Sequence, residues 1–225
     1  MNARAGTSRT GTEGPEPKKP LLRGVLHEVA AAAAALAGIL LVLRAASVRA
    51  RVAAAVYGAS LLCLFVASAV YHRPTWGERA RRWLRRVDHS AIFLLIAGTY
   101  TPFGLLLRSR GGWILMAVVW GGALAGILIS IAWTRAPKPL VAGVCVALGW
   151  AALPMLPALK AALGTSAIVL LAAGGLTYSA GAVIYALRRP DPWPRVFGYH
   201  ELFHALVVAA AGQHFAAVAG AIRAL

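Results

Sequence analysis

Seven stretches of mostly apolar residues follow one another along the chain, separated by short polar segments. A helix of about 20 residues is needed to cross the ~30 Å hydrocarbon layer of a bilayer. The stretches approach that length and cover residues 29–43, 52–71, 90–107, 112–133, 140–159, 161–187 and 202–222. Backbone groups in lipid must be satisfied within the protein, and no strand-like alternation competes with helices here. The sequence therefore predicts an all-α bundle of seven transmembrane helices.

The composition agrees with a membrane protein and excludes a water-soluble one. The chain is 60% hydrophobic and 13% charged, which leaves too little polar surface to cover a core of this size. A formal net charge of +16 would suggest nucleic-acid binding in a soluble protein, but the Lys and Arg residues lie between the apolar stretches. We therefore expect membrane lipids as partners, and we expect no binding to nucleic acid.

The distribution of positive charge predicts how the helices are oriented. Of the 23 Lys and Arg residues, 16 lie before the first stretch or in the second, fourth and sixth connections. Cytoplasmic segments carry an excess of Lys and Arg, so these segments are expected inside. The amino terminus is then cytoplasmic and the carboxyl terminus extracytoplasmic.

Two polar segments, the amino-terminal tail and residues 76–87, have compositions that predict their structure. The amino-terminal residues are rich in Gly, Thr, Pro, Arg and Glu, so we expect 1–22 to be a disordered cytoplasmic tail and 23–225 to form the transmembrane domain. Residues 76–87 place apolar side chains at helical spacing among arginines. This pattern predicts a short helix on the inner leaflet, either as a topological anchor or for specific lipid recognition.

Ionisable side chains within or at the ends of the spans are few, and such residues are candidates for function. All but one fall at helix ends that the charge distribution places on the cytoplasmic side, and antiparallel helices bring those ends to one depth. The exception is His214, deep in the last span, for which we expect a hydrogen bond within the core. The full set is His27, Glu28, His72, Asp88, His89, His200, Glu201, His204 and His214.

Three of these histidines form a candidate metal site. His200 and His204 are four residues apart, so they share one face of a helix and can ligate one ion. Catalytic zinc commonly has three protein ligands and a water, and His72 would supply the third nitrogen. Asp88 and Ser68 would then hydrogen-bond the water as the catalytic groups. Alternatively, these histidines are solvated or paired with lipid headgroups at the membrane interface.

The other ionisable residues leave alternatives open. Residues 200–204 spell His-Glu-Leu-Phe-His, the metalloprotease signature in which the Glu is the general base. That interpretation lacks a downstream third ligand, since His214 lies about 15 Å further along the same helix. His27 and Glu28 either face a cavity inside the helix bundle or pair with arginines of the loops. We expect His89 to face headgroups.

Three motifs carry a resemblance to a known family. They are Ser68-xxx-His72 ending the second stretch, Asp88-His-Ser opening the third, and His200-xxx-His204 opening the seventh. In this order they resemble bacterial hemolysin III, the prokaryotic branch of the progestin and adipoQ receptor (PAQR) family, over essentially the whole predicted transmembrane domain. The resemblance implies a seven-helix bundle with its amino end inside and a zinc ion near the cytoplasmic surface. His72, His200 and His204 match the family's zinc ligands.

The resemblance also implies a function. The family is related to alkaline ceramidases, in which the Ser and Asp matching Ser68 and Asp88 adjoin the zinc of a lipid-amide hydrolase. We therefore expect an integral protein of the bacterial plasma membrane that acts in membrane lipid homeostasis through hydrolysis of a lipid acyl amide or ester. The alternative is a non-enzymatic receptor or sensor in which the zinc is structural. A cytolysin is implied only by the family's name, and seven spans favour a resident membrane protein instead.

Overall fold

The computed structural model describes residues 19–133 and 136–225, and within them the only β pairing is one isolated bridge between Trp193 and Phe197. Seven segments are long and apolar enough to cross a membrane, which confirms the predicted fold class. A 3-10 turn, Leu153–Met155, interrupts the fifth of these segments. The helices are α1 (Val25–Leu43), α2 (Val48–His72), α3 (Glu78–Leu107), α4 (Arg110–Ala132), α5 (Lys138–Gly149), α6 (Leu156–Leu163), α7 (Thr165–Leu187) and α8 (Tyr199–Arg223).

Helices α2, α3 and α8 form the centre of the bundle and carry most of its buried side chains. Neighbours in sequence pack side by side: α1 on α2, α2 on α3, α3 on α4, and α7 on α8. Between α1 and α2, a Cβ added to Gly58 would lie 3.1 Å from the Cα of Gly38. Small residues permit this close approach of membrane helices. Helix α8 also contacts α2 and α3, and its first turn lies beside the end of α2, where His200 meets His72.

The fifth span is broken, where the sequence predicts one apolar helix over 140–159. Helix α5 ends at Gly149, and Pro154 and Pro157 stand in the first turns of the 3-10 turn and of α6. Proline has no N–H to donate to the preceding turn and disfavours a helical conformation in the residue before it, so it starts helices more readily than it continues them. Pro102, by contrast, lies inside α3.

The boundary between the fifth and sixth spans also differs from the prediction of 161–187. The sixth span begins at Thr165, after Gly164, whose φ of 80° lies in the region that favours glycine. Residues 161–163 therefore complete α6. The run of apolar residues continues across this turn, so hydropathy alone does not mark it.

The predicted helix on the inner leaflet at 76–87 is wrong. Helix α3 continues without a break from Glu78 to Leu107, so the arginine-rich segment forms the first turns of the third span. An amphipathic pattern is the same for a separate surface helix and for the polar end of a longer one. Since no Gly or Pro lies between Glu78 and Gly98, nothing interrupts the helical hydrogen bonds.

Of the predicted disordered tail, 1–22, positions 1–18 lie outside the described residues. From residue 19 the chain is described and is held by the loop that precedes α8. The backbone N–H groups of Leu21 and Leu22 donate to the carbonyls of Arg195 and Val196 at 3.1 and 3.2 Å. These bonds place Arg23, just before α1, next to the first turn of α8.

Candidate metal centre

Two helix ends bring three histidines together. His72 is the last residue of α2, and His200 and His204 lie one turn apart at the start of α8. One ring nitrogen from each residue lies within 4.8 Å of the other two. The Nε2 atoms of His72 and His200 are 3.2 Å apart, and all three side chains are buried. The three residues that the sequence offers as metal ligands therefore converge.

The geometry of this cluster fits a transition-metal ion. A tetrahedral zinc with bonds of about 2.0–2.1 Å holds its nitrogen ligands about 3.3 Å apart. The Nε2 atoms of His72 and His200 match that spacing, and one ring nitrogen of His204 lies within 4.8 Å of a ring nitrogen of each. Imidazole nitrogen suits zinc, copper, iron and nickel alike. Three neutral nitrogens with no carboxylate among them can hold such an ion and leave a fourth position for water or substrate.

Asp88 and Ser68 lie beside the histidines and are also buried. Asp88 belongs to α3, and its Oδ2 atom is 3.9 Å from Nε2 of His72. Ser68 lies one turn before His72 on α2, next to the Asp88 carboxyl group. Asp88 is outside the converging set, so the structure places it as a neighbour of the cluster. A general acid or base would occupy such a position.

His27 is a fourth histidine at this site, and the sequence left its orientation open. Its ring stacks on that of His204, with centroids 3.9 Å apart and planes 4° from parallel. Both ring nitrogens of His27 are buried and have no hydrogen-bond partner among the described residues. A ring stacked in this way limits the rotation of the His204 ring. In the sequence, the feature that pointed to His27 was an ionisable residue at the start of a membrane span.

Glu201 stands between two of the converging histidines in sequence but has a different role. One carboxylate oxygen pairs with the guanidinium of Arg23, and the other accepts the backbone N–H of Gly198 at 2.9 Å. Glu201 is only 1% exposed, so both oxygens are used in a buried environment. The metalloprotease arrangement needs a Glu that is free to act as general base next to the metal. The observed contacts argue against that arrangement.

The remaining ionisable residues are distributed as follows. Glu28 pairs with Arg73 at 2.7 Å, one of the two alternatives left open by the sequence. His214 donates from Nε2 to the carbonyl of Leu171 at 3.2 Å, which confirms the predicted hydrogen bond within the core. The expectation that His89 faces headgroups is wrong, because its half-buried side chain lines the cavity beside the candidate metal centre.

A cavity of about 500 Å³ extends from the histidines into the bundle. Its polar end contains the three converging histidines with Asp88 and Ser68. The remainder is walled mostly by apolar side chains and reaches His214, ten residues beyond His204 on α8 or about 15 Å along the helix. A volume of this size is within the range of small-molecule sites, roughly 300–1,000 Å³. An elongated amphiphile with its polar part at the histidines matches this shape and polarity.

Comparison with known proteins agrees with the fold and the site. The family model described as "Haemolysin-III related" matches residues 16–215. The chain is 32% identical to Hemolysin-3 of Bacillus cereus over 203 residues, which is 88% of this chain and 89% of that protein. It is 33% identical to a Hemolysin-3 homolog of Bacillus subtilis over 161 residues, 71% of this chain and 72% of that protein.

A eukaryotic relative is also detected. The Adiponectin receptor protein of Drosophila melanogaster is 29% identical over 181 residues, which is 69% of this chain and 39% of that protein. Seven membrane-spanning helices and bacterial relatives along most of its length identify the chain as an integral protein of the bacterial plasma membrane. By the extent of the family match and these identities, the chain belongs to the haemolysin III family, with relatives among the PAQR proteins.

Proposed function

We propose that this protein is a zinc-dependent hydrolase of lipid acyl amide or ester bonds that acts in membrane lipid homeostasis. One observation carries the proposal: three converging imidazoles, with a carboxyl and a hydroxyl beside them, lie at the polar end of a cavity with apolar walls. A purely structural ion needs no neighbouring acid and no access for a ligand. The resemblance of the motifs to those of alkaline ceramidases supports zinc as the metal.

The residues divide into those that hold the metal and those that move protons. His72, His200 and His204 would hold a zinc ion, which polarises a carbonyl and lowers the pKa of a water molecule to about 7 when bound. His27, stacked on His204, keeps that ligand in place. Asp88 then serves as the general base and acid of the reaction, with Ser68 adjusting the orientation of its carboxylate by a hydrogen bond.

The proton movements balance as follows. Asp88 accepts a proton from the water as the water oxygen forms a bond to the acyl carbon. The C–N or C–O bond of the lipid then breaks, and Asp88 returns the proton to the departing amine or alkoxide. The products are a fatty acid and the deacylated lipid. The apolar part of the cavity holds the acyl chain so that its carbonyl stays near the histidines.

The orientation predicted from the Lys and Arg distribution determines which side of the membrane the site faces. With the amino terminus inside, the histidines lie at the cytoplasmic end of the bundle. Protons and water would then exchange with the cytosol, while the lipid would enter from the inner leaflet.

The test is a comparison of two carboxylate-to-amide substitutions in the same helix. Asp88→Asn keeps the shape of the side chain but removes the base, so turnover should fall by roughly 10²- to 10⁴-fold while bound zinc is retained. Glu78→Gln is the matched control, because Glu78 is exposed at the start of α3 and pairs only with Arg82 among the described residues. Fatty-acid release from ceramide and from glycerophospholipids in detergent micelles measures turnover.

Two results would count against this mechanism. If Asp88→Asn leaves lipid hydrolysis and membrane phenotypes intact while His204→Ala abolishes both zinc and phenotype, the protein is a sensor with a structural metal. If Asp88→Asn instead loses the metal, then Asp88 is itself a ligand, and the division of the site into three ligands and one base is incorrect.

A further inference from the structure

The polar end of the cavity is strongly cationic. Five Lys and Arg side chains line it, and Asp88 is the one carboxylate among its described lining residues. They come from three parts of the chain that are distant in sequence: the segment before α1, the start of α3 and the start of α5. The cationic residues are Lys19, Arg23, Arg81, Arg85 and Lys138.

Four of these five charges have no carboxylate partner in the described part of the chain. Arg23 is paired with Glu201, but no Asp or Glu oxygen of residues 19–133 or 136–225 lies within 4.0 Å of the other four cationic groups. Lys19 donates instead to the carbonyl of Pro74 at 2.8 Å. This neutral carbonyl holds the Lys19 side chain in place and leaves its positive charge uncompensated.

Lys138 is held in the same manner by two aromatic rings. Its Nζ lies 4.4 Å from the ring centre of Tyr185 and 5.4 Å from that of Tyr199, and it donates to the Tyr199 hydroxyl at 3.3 Å. Because the ammonium group of Lys138 already covers these rings, they do not offer a free cage for the quaternary ammonium of a choline headgroup. This wall of the cavity favours a negative group.

The cationic groups are close enough to act on one another. The pKa of Lys19 lies below its usual value because partial burial removes hydration, and because Arg81 and Arg23 repel its proton. Like charges gathered in one place destabilise the free protein, and a bound anion relieves that repulsion. A topological anchor needs only charges that face water and headgroups, which does not explain cations that face a cavity.

Helix α3 shows this distinction on its own surface. Arg81 and Arg85 are four residues apart and line the cavity. Arg79 and Arg82 belong to the same turns and are exposed, as Arg81 is, but they lie outside the cavity, and Arg82 pairs with Glu78 at 3.3 Å. The arginine-rich segment therefore has one face suited to the membrane surface and another turned toward a ligand.

We propose that the cavity binds a phospholipid with a net anionic headgroup, with the phosphate among Lys19, Arg81, Arg85 and Lys138 and one acyl chain in the apolar part. Four unpaired cations exceed what the single charge of a fatty-acid carboxylate would match. Guanidinium groups also bind the several oxygens of a phosphate in fixed, bidentate geometry. If the bound phospholipid is also the substrate, the inference rests on the proposed hydrolase activity. The bond that is cleaved is then an ester of a glycerophospholipid. Its binding part does not depend on turnover.

The experiment measures binding of defined lipids to the full-length protein purified in neutral detergent. The probes are palmitoyl lysophosphatidylglycerol, palmitoyl lysophosphatidylcholine, palmitate and inorganic phosphate, each titrated calorimetrically. We expect lysophosphatidylglycerol to bind about tenfold or more tightly than the choline lipid, since one charged contact is worth at least that factor. Inorganic phosphate at the same concentration should not displace it, because the apolar part of the cavity contributes to lipid binding.

Matched double variants of α3 separate the cavity from the general surface charge. Arg81→Gln/Arg85→Gln should weaken binding of lysophosphatidylglycerol by about tenfold or more. Binding of the choline lipid should weaken less, because its quaternary ammonium cancels the charge of its phosphate. Arg79→Gln/Arg82→Gln removes the same charge from the exposed face and should change either affinity by less than about twofold. Lys138→Gln, on a different helix, should reproduce the selective loss.

Equal affinity for the two lysophospholipids, equal loss in the two double variants, or displacement of the lipid by inorganic phosphate would each overturn the inference. Preferential binding of palmitate over lysophosphatidylglycerol would also overturn it, in favour of a fatty acid. Failure of the hydrolase proposal is distinguishable. In that case the anionic lipid still binds selectively, while Asp88→Asn leaves hydrolysis unchanged.

Discussion

Replacing Glu201 tests whether this residue is structural, as its contacts indicate, or catalytic, as the motif around it would suggest. The carboxylate is buried, pairs with Arg23, and accepts the N–H of Gly198 at the start of α8. Through these contacts it joins the segment before α1 to the helix that carries two of the three converging histidines. Removing it should therefore destabilise the whole protein and should not act on a chemical step.

The magnitude follows from the two contacts. Breaking a buried ion pair by removing one partner costs about 3–5 kcal/mol, and the lower end applies because the Arg23 side chain is 24% exposed and can be partly rehydrated. Loss of the bond to Gly198 at the helix start adds about 1 kcal/mol. Glu201→Ala should thus lower the free energy of unfolding by about 4 kcal/mol. Glu201→Gln loses the charge and can keep only one of the two hydrogen bonds, because its amide NH₂ group donates and cannot accept, so most of that cost is expected.

The assay is equilibrium unfolding in mixed micelles with an increasing fraction of SDS, followed by tryptophan fluorescence. Glu28→Ala is the control, since it removes an ion pair with Arg73 in which both side chains are about half exposed, and it should cost at most about 1 kcal/mol. Glu201→Gln should keep its metal and its turnover when folded. A Glu201→Gln protein with native stability and no turnover would refute the structural role and revive Glu201 as a general base.

Two further predictions concern packing and orientation. Gly174→Ala should destabilise the bundle by about 1–3 kcal/mol in the same unfolding assay, because a Cβ there would overlap the ring of His214; Gly121→Ala, with open space at that position, should be neutral, and equal effects would contradict the packing. A reporter fused after Leu225 should be active outside the cytoplasm and one inserted at residues 74–77 inside it, and the reverse pattern would contradict the predicted orientation.

Much of the fold could be predicted from the sequence because the bilayer imposes a simple rule on length and polarity. Seven apolar stretches gave seven spans, and the rarity of ionisable residues within them drew attention to His72, His200 and His204. The interruption of the fifth span was not predictable in this way, since the apolar residues continue through the turn after Gly149. Hydropathy reports which segments enter the membrane and does not report where a helix ends within it.

The electrostatics of the site could not be predicted from the sequence because they depend on which way side chains turn. The arginines of residues 79–86 have one charge pattern, yet Arg81 and Arg85 line the cavity and Arg82 does not. Lys138 reaches the same end of the cavity from another helix. Similarly, His27 and Glu28 are adjacent in sequence, but one stacks on His204 and the other pairs with Arg73.

Metal analysis tests the central claim most directly. The wild-type protein, purified without chelator, is measured beside the triple variant His72→Ala/His200→Ala/His204→Ala and beside His214→Ala, which removes a half-buried histidine outside the cluster. We predict near-stoichiometric zinc in the wild-type protein and in His214→Ala, and none in the triple variant. Wild-type protein without bound metal, or a triple variant that retains it, would contradict the assignment of these three histidines as a zinc site.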